Sequence, residues 1–503
     1  VLSRSARADA SQVTKSQHRM WKKMRKVVLL LAFARGAAGF GSVGAVDENF
    51  RTIPYSIPWG TFTTPLGTFM TQDDATAVLS LQSIVSTRTI FKGDPAGLVE
   101  LPPRPNVSYD AIENDTPLSG NSATFLRLLT AVNADGILIM GGGEVVYERY
   151  FAQMAAANTS RHRLFSMTKS IIGLVATMLV HEGVLDETAQ VTDLIPEMKG
   201  SGFEGATVRN VMDMTTEFQW EEDRGKTCAY AYNNYGIDEV VSEMKAALER
   251  QEPFPLVEGC EFVQYDLVNG LYPADSALVY EALGVPSLPG PRSIREFLTL
   301  LPSNGKEHGR KWTYRSPNTD LLSWLIDVAL KAHPEAGASD GVEYFQKKVW
   351  SKLGQGSDAL IALDRTYIPY FGSGMMATLG DMARLAEMLR NDGMNKHGEQ
   401  VVPKPVIEYL FKPLGGGFGV PCDWDEEGKA TCEYRSQFYV RSGPLGPDAP
   451  FLHMLGFFGQ HVVVEKGLEL SWAMFARDVG FADNSVSLFT AINTVWFRQL
   501  GLA

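Results

Sequence analysis

Ser166 and Lys169 stand three residues apart where the chain enters Leu164-Phe-Ser-Met-Thr-Lys-Ser-Ile-Ile-Gly-Leu-Val-Ala-Thr-Met-Leu-Val180, a stretch apolar on nearly every face. Such a segment is expected to be a helix buried in the centre of the protein. At i and i+3 the two side chains share one face of its first turn. A serine hydroxyl is a weak nucleophile. A lysine amine held in apolar surroundings sheds its charge more readily and can then accept the hydroxyl proton. Backbone N–H groups at a helix N-terminus can in turn stabilise a developing oxyanion. The pattern therefore admits acyl transfer through an acyl-enzyme on Ser166. It also fits a plain helix cap with a snorkelling lysine, and S-x-x-K arises by chance roughly once or twice in a chain this long.

The elements around the pair narrow the reading. Ile137-Leu-Ile-Met140, the glycines 141–143 and Val145-Val-Tyr-Glu-Arg-Tyr-Phe151 read as a β-hairpin that begins an antiparallel sheet. Residues 50–122 are rich in Pro, Gly, Thr and Asp without sustained periodicity, which predicts an irregular N-terminal extension carrying no recognisable chemistry. No internal repeat is evident. With 45% hydrophobic and 21% charged residues in 503, the chain has the composition of a soluble globular protein and can bury a large core.

A net charge of -12 argues against nucleic-acid binding, which needs clustered Lys and Arg. The charge is uneven. Residues 1–45 hold nine Lys/Arg against one acid, and the rest holds 37 against 57. That first segment reads as a targeting leader: a basic Met20-Trp-Lys-Lys-Met-Arg-Lys run, an apolar Val27–Ala34 run and a small-residue Val43-Gly-Ala45 site. Export is the favoured address, with an organelle transit peptide as the alternative. No later run reaches the ~20 apolar residues of a membrane-spanning helix. Four cysteines, Cys228, Cys260, Cys422 and Cys432, lack C-x-x-C spacing and leave room for two disulfides. Three N-x-S/T sequons, at Asn106, Asn114 and Asn158, matter only if a eukaryotic secretory pathway handles the chain.

Five motifs follow in fixed order: Tyr147-Glu-Arg-Tyr150, Phe165-Ser-Met-Thr-Lys-Ser170, His181-Glu-Gly-Val-Leu-Asp186, Leu194-Ile-Pro-Glu197 and Val208-Arg-Asn-Val-Met-Asp-Met-Thr-Thr216. This succession resembles the β-lactamase-related serine hydrolases, over about residues 130–500. Tyr314-Arg-Ser-Pro-Asn-Thr-Asp-Leu-Leu-Ser-Trp324, the Gly374–Arg384 segment and Gly456-Phe-Phe-Gly-Gln460 resemble the 6-aminohexanoate-dimer hydrolase branch in particular.

The resemblance implies an α+β fold: an antiparallel sheet flanked by helices, an all-helical lobe at about 185–370, and an active site in the cleft between them. The expected organisation is a leader at 1–45, an extension at 46–125 and a catalytic domain at 126–500. Ser166 would be the nucleophile and Lys169 the general base. Tyr314 would relay a proton to the leaving group, its phenol pKa lowered by the neighbouring ammonium so that the two share one proton. The backbone N–H groups of Ser166 and Phe457 would form the oxyanion hole. Asn318 would orient Lys169 or the substrate carbonyl, and Gly456 and Gln460 would lie against substrate. Without Ser166 and Lys169 upstream, Tyr314 would read as an aromatic packed at a loop-helix junction.

Two departures carry information. Met454-Leu-Gly456 stands where penicillin-recognising enzymes place Lys-Thr-Gly, so the charge that holds a substrate carboxylate is missing. After Trp220-Glu-Glu-Asp223 an insertion runs over about 224–271, holding Cys228 and Cys260, and either Arg224 or Tyr272 would take the branch's substrate-contacting position. Trp220-Glu-Glu-Asp223 itself reads as a solvated acidic surface, because consecutive acids point in different directions; no metal and no cofactor are expected. The function expected is hydrolysis of an amide or ester of a small molecule, with Met454, Phe457 and Phe458 lining a pocket for a neutral or apolar acyl group. The alternative is a non-catalytic scaffold on the same fold. The sequence leaves the oligomeric state open.

Overall fold

The computed structural model describes residues 85–501 apart from 95–96, 116–123, 156–158, 221, 223–245, 247–248, 251–260, 270–290, 425–426 and 478–480. The leader, residues 46–84 of the extension, Arg224, Tyr272, Cys228 and Cys260 lie outside the described residues.

Twelve strands form two antiparallel sheets among the described residues. They are β1 (Thr87–Ile90), β2 (Ala134–Gly141), β3 (Glu144–Tyr150), β4 (His162–Arg163), β5 (Ala359–Ala362), β6 (Met375–Ala377), β7 (Val420–Trp424), β8 (Ala430–Arg435), β9 (Phe438–Gly443), β10 (Gly446–Gly456), β11 (Gln460–Glu465) and β12 (Leu470–Ala476). The large sheet runs β3-β2-β12-β11-β10-β9-β8-β7, so strands from the two ends of the chain meet where β2 pairs β12. The expected hairpin is β2–β3, with Gly142 and Gly143 both at positive φ in its turn. The small sheet runs β1-β5-β6-β4. Its β1 comes from the N-terminal extension, which is thus not wholly irregular: Thr-Arg-Thr-Ile supplies enough β-branched character to complete a sheet edge once β5 is there to pair with it.

The helices that matter for the site are α1 (Phe125–Ala131), α2 (Met167–His181), α3 (Val208–Met212), α4 (Glu261–Val268), α5 (Ile294–Leu300), α6 (Pro317–Ala332), α7 (Gly341–Lys348), α8 (Leu379–Arg390) and α9 (Phe481–Gln499). Every residue of α2 from Met167 to Leu179 is buried, because it has neighbours on all sides. It packs against β9, β10 and β11 on one side and against α6 and α7 on the other; the span 185–370 that holds these helices is not all-helical, since β5 at its end pairs with β1 and β6. Gly173 permits this density: a Cβ there would lie 2.1 Å from the Ser436 carbonyl oxygen.

Apolar residues on the two faces of the large sheet feed two cores. Leu138, Met454, Val462 and Ala473 join α2, α8 and the lobe, whereas Ile137, Ile139, Val463 and Trp472 join α1 and α9. This is the period-two alternation of a sheet covered on both faces. Each buried Leu, Ile or Phe contributes about 1.5–3 kcal/mol, so the scaffold beneath the site is rigid by accumulation. Met454 belongs to the first core and His453, stacked on His461 at 5.2 Å, to the other face. At the β7 edge a disulfide joins Cys422 to Cys432 across the β7–β8 hairpin.

The segment read as an insertion does not stay outside the body. Its α4 buries Tyr265 and Val268 fully in the main core, beside Ile294 and Phe297. Eight residues are too short a window for the apolar face to declare itself, so the helix escaped the sequence reading.

Candidate active site

Ser166 sits at the N-cap of α2 and is the half-buried member of an otherwise buried run from His162 to Leu179. Its approach is forced. β4 pairs with β6, and the Leu164 amide donates to the Met375 carbonyl at 2.9 Å, which anchors the residues just before the serine. Phe165 then turns through φ +49°, a left-handed conformation rare for a bulky side chain and costing of order 1–3 kcal/mol. Its ring is held under the Arg163 guanidinium at 4.3 Å and against Phe458 at 5.5 Å. The surrounding contacts thus hold the turn that presents the serine.

Lys169 is buried, and its Nζ donates to Ser166 Oγ at 3.0 Å and to the Gly372 carbonyl at 2.6 Å. Burial lowers its pKa from 10.5 to about 8; the negative charge of Glu222 and Asp320 opposes that fall, and Arg163 adds to it. The amine lies 5.1 Å from the centre of the Tyr314 ring. Tyr314 packs in an aromatic group, 6.4 Å from Trp312 and stacked at 6.4 Å on Tyr439. Its phenol is hydrogen-bonded to Ser166, and its pKa is raised. The lowered value expected from a nearby ammonium is overturned, because desolvation dominates, Tyr439, Tyr434 and Glu222 add to it, and the adjacent amine holds its own proton weakly. Tyr314 is therefore a neutral hydroxyl, able to donate.

At the end of β10, Gly456 lets this strand touch the serine segment: a Cβ there would lie 2.3 Å from the Leu164 carbonyl oxygen. Phe457 follows, 40% exposed, while Phe458 at φ +62° and Met454 are buried. Of the three side chains expected to line a pocket, only Phe457 is open to solvent. Gly456 thus acts as a contact between backbones.

Two expected substrate contacts belong instead to the framework. Gln460 is fully buried, and its amide donates to the Phe457 and Ala476 carbonyls at 3.1 and 2.7 Å, which fixes the turn leaving β10. Asn318 is also fully buried. It accepts from Thr216 Oγ1 at 2.6 Å and donates to the Arg315 carbonyl at 3.2 Å, so its polar atoms are taken up joining α6 to the segment after α3. Both are buried and neither is hydrogen-bonded to Lys169, because their amides are used on carbonyls and, for Asn318, on the Thr216 hydroxyl, which would otherwise be buried unpaired.

The sequence reading missed three acceptor groups. Glu222 is turned inward from the acidic run. It accepts from the Ser316 amide at 2.7 Å, the Ser316 hydroxyl and Trp220 Nε1, at the start of α6 and two residues past Tyr314. An acid at a helix N-terminus is favoured there. Asp320, on the first turn of α6, is buried and accepts from the Phe371 and Gly372 amides and from Tyr265. Gly372 presents its carbonyl to the lysine. Asp320 lay within the Tyr314–Trp324 motif, where an acid amid an apolar run was the available signal; nothing local marked Gly372.

An antiparallel sheet with helices on both faces, and a Ser-Lys-Tyr cluster where the buried central helix meets a helical lobe, define the β-lactamase/transpeptidase-like α+β fold. The beta-lactamase family model matches residues 127–493, and the chain belongs to that family. It is 26% identical over 341 residues to the 6-aminohexanoate-dimer hydrolase of Paenarthrobacter ureafaciens, covering 68% of this chain and 70% of that one. A solved Bacillus anthracis structure named "Putative 6-aminohexanoate-dimer hydrolase" superposes with a TM-score of 0.65 at 18% identity, covering 86% of this chain and 96% of the other. The chain is a hydrolase-family protein of this fold, as its ordered motifs imply. Among the described residues no helix is long and apolar enough to cross a membrane.

Proposed function

We propose that this protein is a serine hydrolase that cleaves a small amide or ester through an acyl-enzyme on Ser166. The observation that carries this reading is the 3.0 Å contact from Lys169 Nζ to Ser166 Oγ, made by an amine whose pKa burial lowers to about 8. Near neutrality part of the amine is uncharged and can take the Ser166 proton as Oγ attacks the carbonyl carbon. The backbone N–H groups of Ser166 and Phe457 stabilise the resulting oxyanion. Tyr314, protonated and hydrogen-bonded to Ser166, gives its proton to the leaving amine or alcohol and regains one from Lys169. The reverse relay activates water for deacylation.

With Met454 buried in the core, its position supplies no cation for a substrate carboxylate, and the exposed Phe457 beside the oxyanion amide favours neutral or apolar acyl groups. Loss of one charge-assisted hydrogen bond removes about 1.5–3 kcal/mol, so penicillin-type substrates should be disfavoured roughly ten- to a hundredfold. Intact-mass analysis after treatment with a fluorophosphonate should show one adduct, absent in Ser166→Ala. The same preparation should hydrolyse p-nitrophenyl butyrate with higher kcat/KM than nitrocefin. A labelled Ser166→Ala variant refutes the nucleophile, and the opposite substrate order refutes the acyl preference.

The basic leader and the Cys422–Cys432 disulfide support an extracytoplasmic location, since disulfides persist in oxidising compartments. Alkylation mapping of the mature chain from its own host checks this: four free thiols would contradict it.

A further inference from the structure

We propose that Asp320 is a positioning residue for the base, fixing the Gly372 carbonyl against Lys169 and setting how tightly the amine holds its proton. This inference rests on Lys169 acting as the base. Asp320 and Lys169 are both buried, and neither makes an ion pair among the described residues. The two are joined through one glycine: Asp320 Oδ1 accepts from the Phe371 amide at 2.8 Å and the Gly372 amide at 3.2 Å, and the Gly372 carbonyl accepts from Lys169 Nζ at 2.6 Å. The other carboxylate oxygen accepts from Tyr265.

No side chain fits at the junction. A Cβ on Gly372 would lie 2.5 Å from Tyr370 Cε2, 2.7 Å from Tyr265 Oη and 3.0 Å from Asp320 Oδ2. Tyr265 is in turn held by Trp220 at 5.4 Å, Phe297 at 5.7 Å and Tyr370 at 5.6 Å. The clamp is therefore closely packed around Tyr265 and Gly372. The two amides need one acceptor oxygen, which an asparagine supplies, and its Nδ2 could donate to the Tyr265 hydroxyl in place of accepting from it; that arrangement avoids the several kcal/mol that burying a carboxylate costs. The charge itself therefore has a use, and the group it can act on is the amine beyond Gly372.

The ionisable groups around Lys169 are Glu222 and Asp320, which favour its protonated form, Arg163, which disfavours it, and the neutral phenol of Tyr314. Asp320 faces Tyr265, Tyr370 and Lys169; its pKa is raised by burial to about 7, with hydrogen bonding from Tyr265 and the lysine charge working against that rise. The carboxylate and the amine thus change charge over neighbouring pH ranges.

The test is the pH dependence of kcat/KM for p-nitrophenyl butyrate in the full chain, each variant normalised to its fluorophosphonate-titratable sites. Asp320→Asn keeps an acceptor but removes the charge, so the acid limb should move down by about one pH unit or more, since a nearby opposite charge typically contributes 1–3 units. The plateau should fall through kcat rather than KM. Tyr265→Phe keeps the ring and removes one hydrogen bond, giving a smaller shift in the same direction; it decides the matter if Asp320→Asn does not fold. A purely structural role would lower the active fraction and leave the midpoint in place. Midpoints equal to wild type in the folded variants overturn the clamp alone, whereas a wild-type profile with no acid limb overturns both the clamp and the lysine base.

Discussion

Replacing Lys169 tests the mechanism and the cost of the site together. With a pKa of about 8, the amine is about half neutral at pH 8 and about 1% neutral at pH 6, so kcat/KM at pH 6 should be about 100-fold below its plateau above pH 9. Lys169→Arg should be inactive at all accessible pH, because guanidinium does not deprotonate there. Stability supplies a second readout. The folded pKa lies below the unfolded value of 10.5, so folding is penalised by about 3 kcal/mol wherever both states are protonated, below pH 8. Between pH 8 and 10.5 the unfolded chain binds more protons than the folded one, and stability rises with pH as the penalty is relieved. Measured against Lys169→Met, which lacks the titration, wild type should therefore gain about 3 kcal/mol from pH 7 to pH 10.5 in chemical denaturation. The assays are initial rates on p-nitrophenyl butyrate, corrected for spontaneous hydrolysis, and urea melts at matched pH. A flat rate profile between pH 6 and 9, an active arginine variant, or a stability difference that does not change with pH would refute the reasoning.

Gly456→Ala forces a Cβ to within 2.3 Å of the Leu164 carbonyl, so β10 and the serine segment must part. A displacement of about 1 Å near reacting groups costs on the order of 100-fold, so kcat/KM should fall by at least tenfold while circular dichroism reports a retained fold; unchanged kinetics would separate β10 from the site. Tyr314→Phe removes the hydroxyl bonded to Ser166 and should lower the plateau by about 100-fold or more without moving the acid limb, which belongs to Lys169. Near-normal turnover in that variant would remove Tyr314 from the proton relay.

The sequence by itself determined the elements whose signals are local. The apolar run at 164–180 made α2 a central helix, the alternation and glycines at 136–151 made the β2–β3 hairpin, and the spacing of Ser166 and Lys169 put both on one helical face. Met454 and His453, neighbours on β10, fall on opposite faces by the strand period alone, Met454 in the first core and His453 stacked on His461 on the other side. Order along the chain, motif by motif, was enough for the fold family. Tertiary structure decided everything that depends on which distant segments meet. Gln460 and Asn318 are the kinds of residue that contact substrate, yet folding spends their amides on the Phe457, Ala476 and Arg315 carbonyls and on Thr216. Glu222 looked like a solvated surface acid until Ser316, 94 residues away, supplied its donors. Asp320 acquires its environment from Tyr265 and Gly372, 55 and 52 residues distant. The sign of the Tyr314 shift followed the same rule. Proximity to an ammonium is readable from a motif, but desolvation depends on every neighbour at once, and only the packed structure sums them.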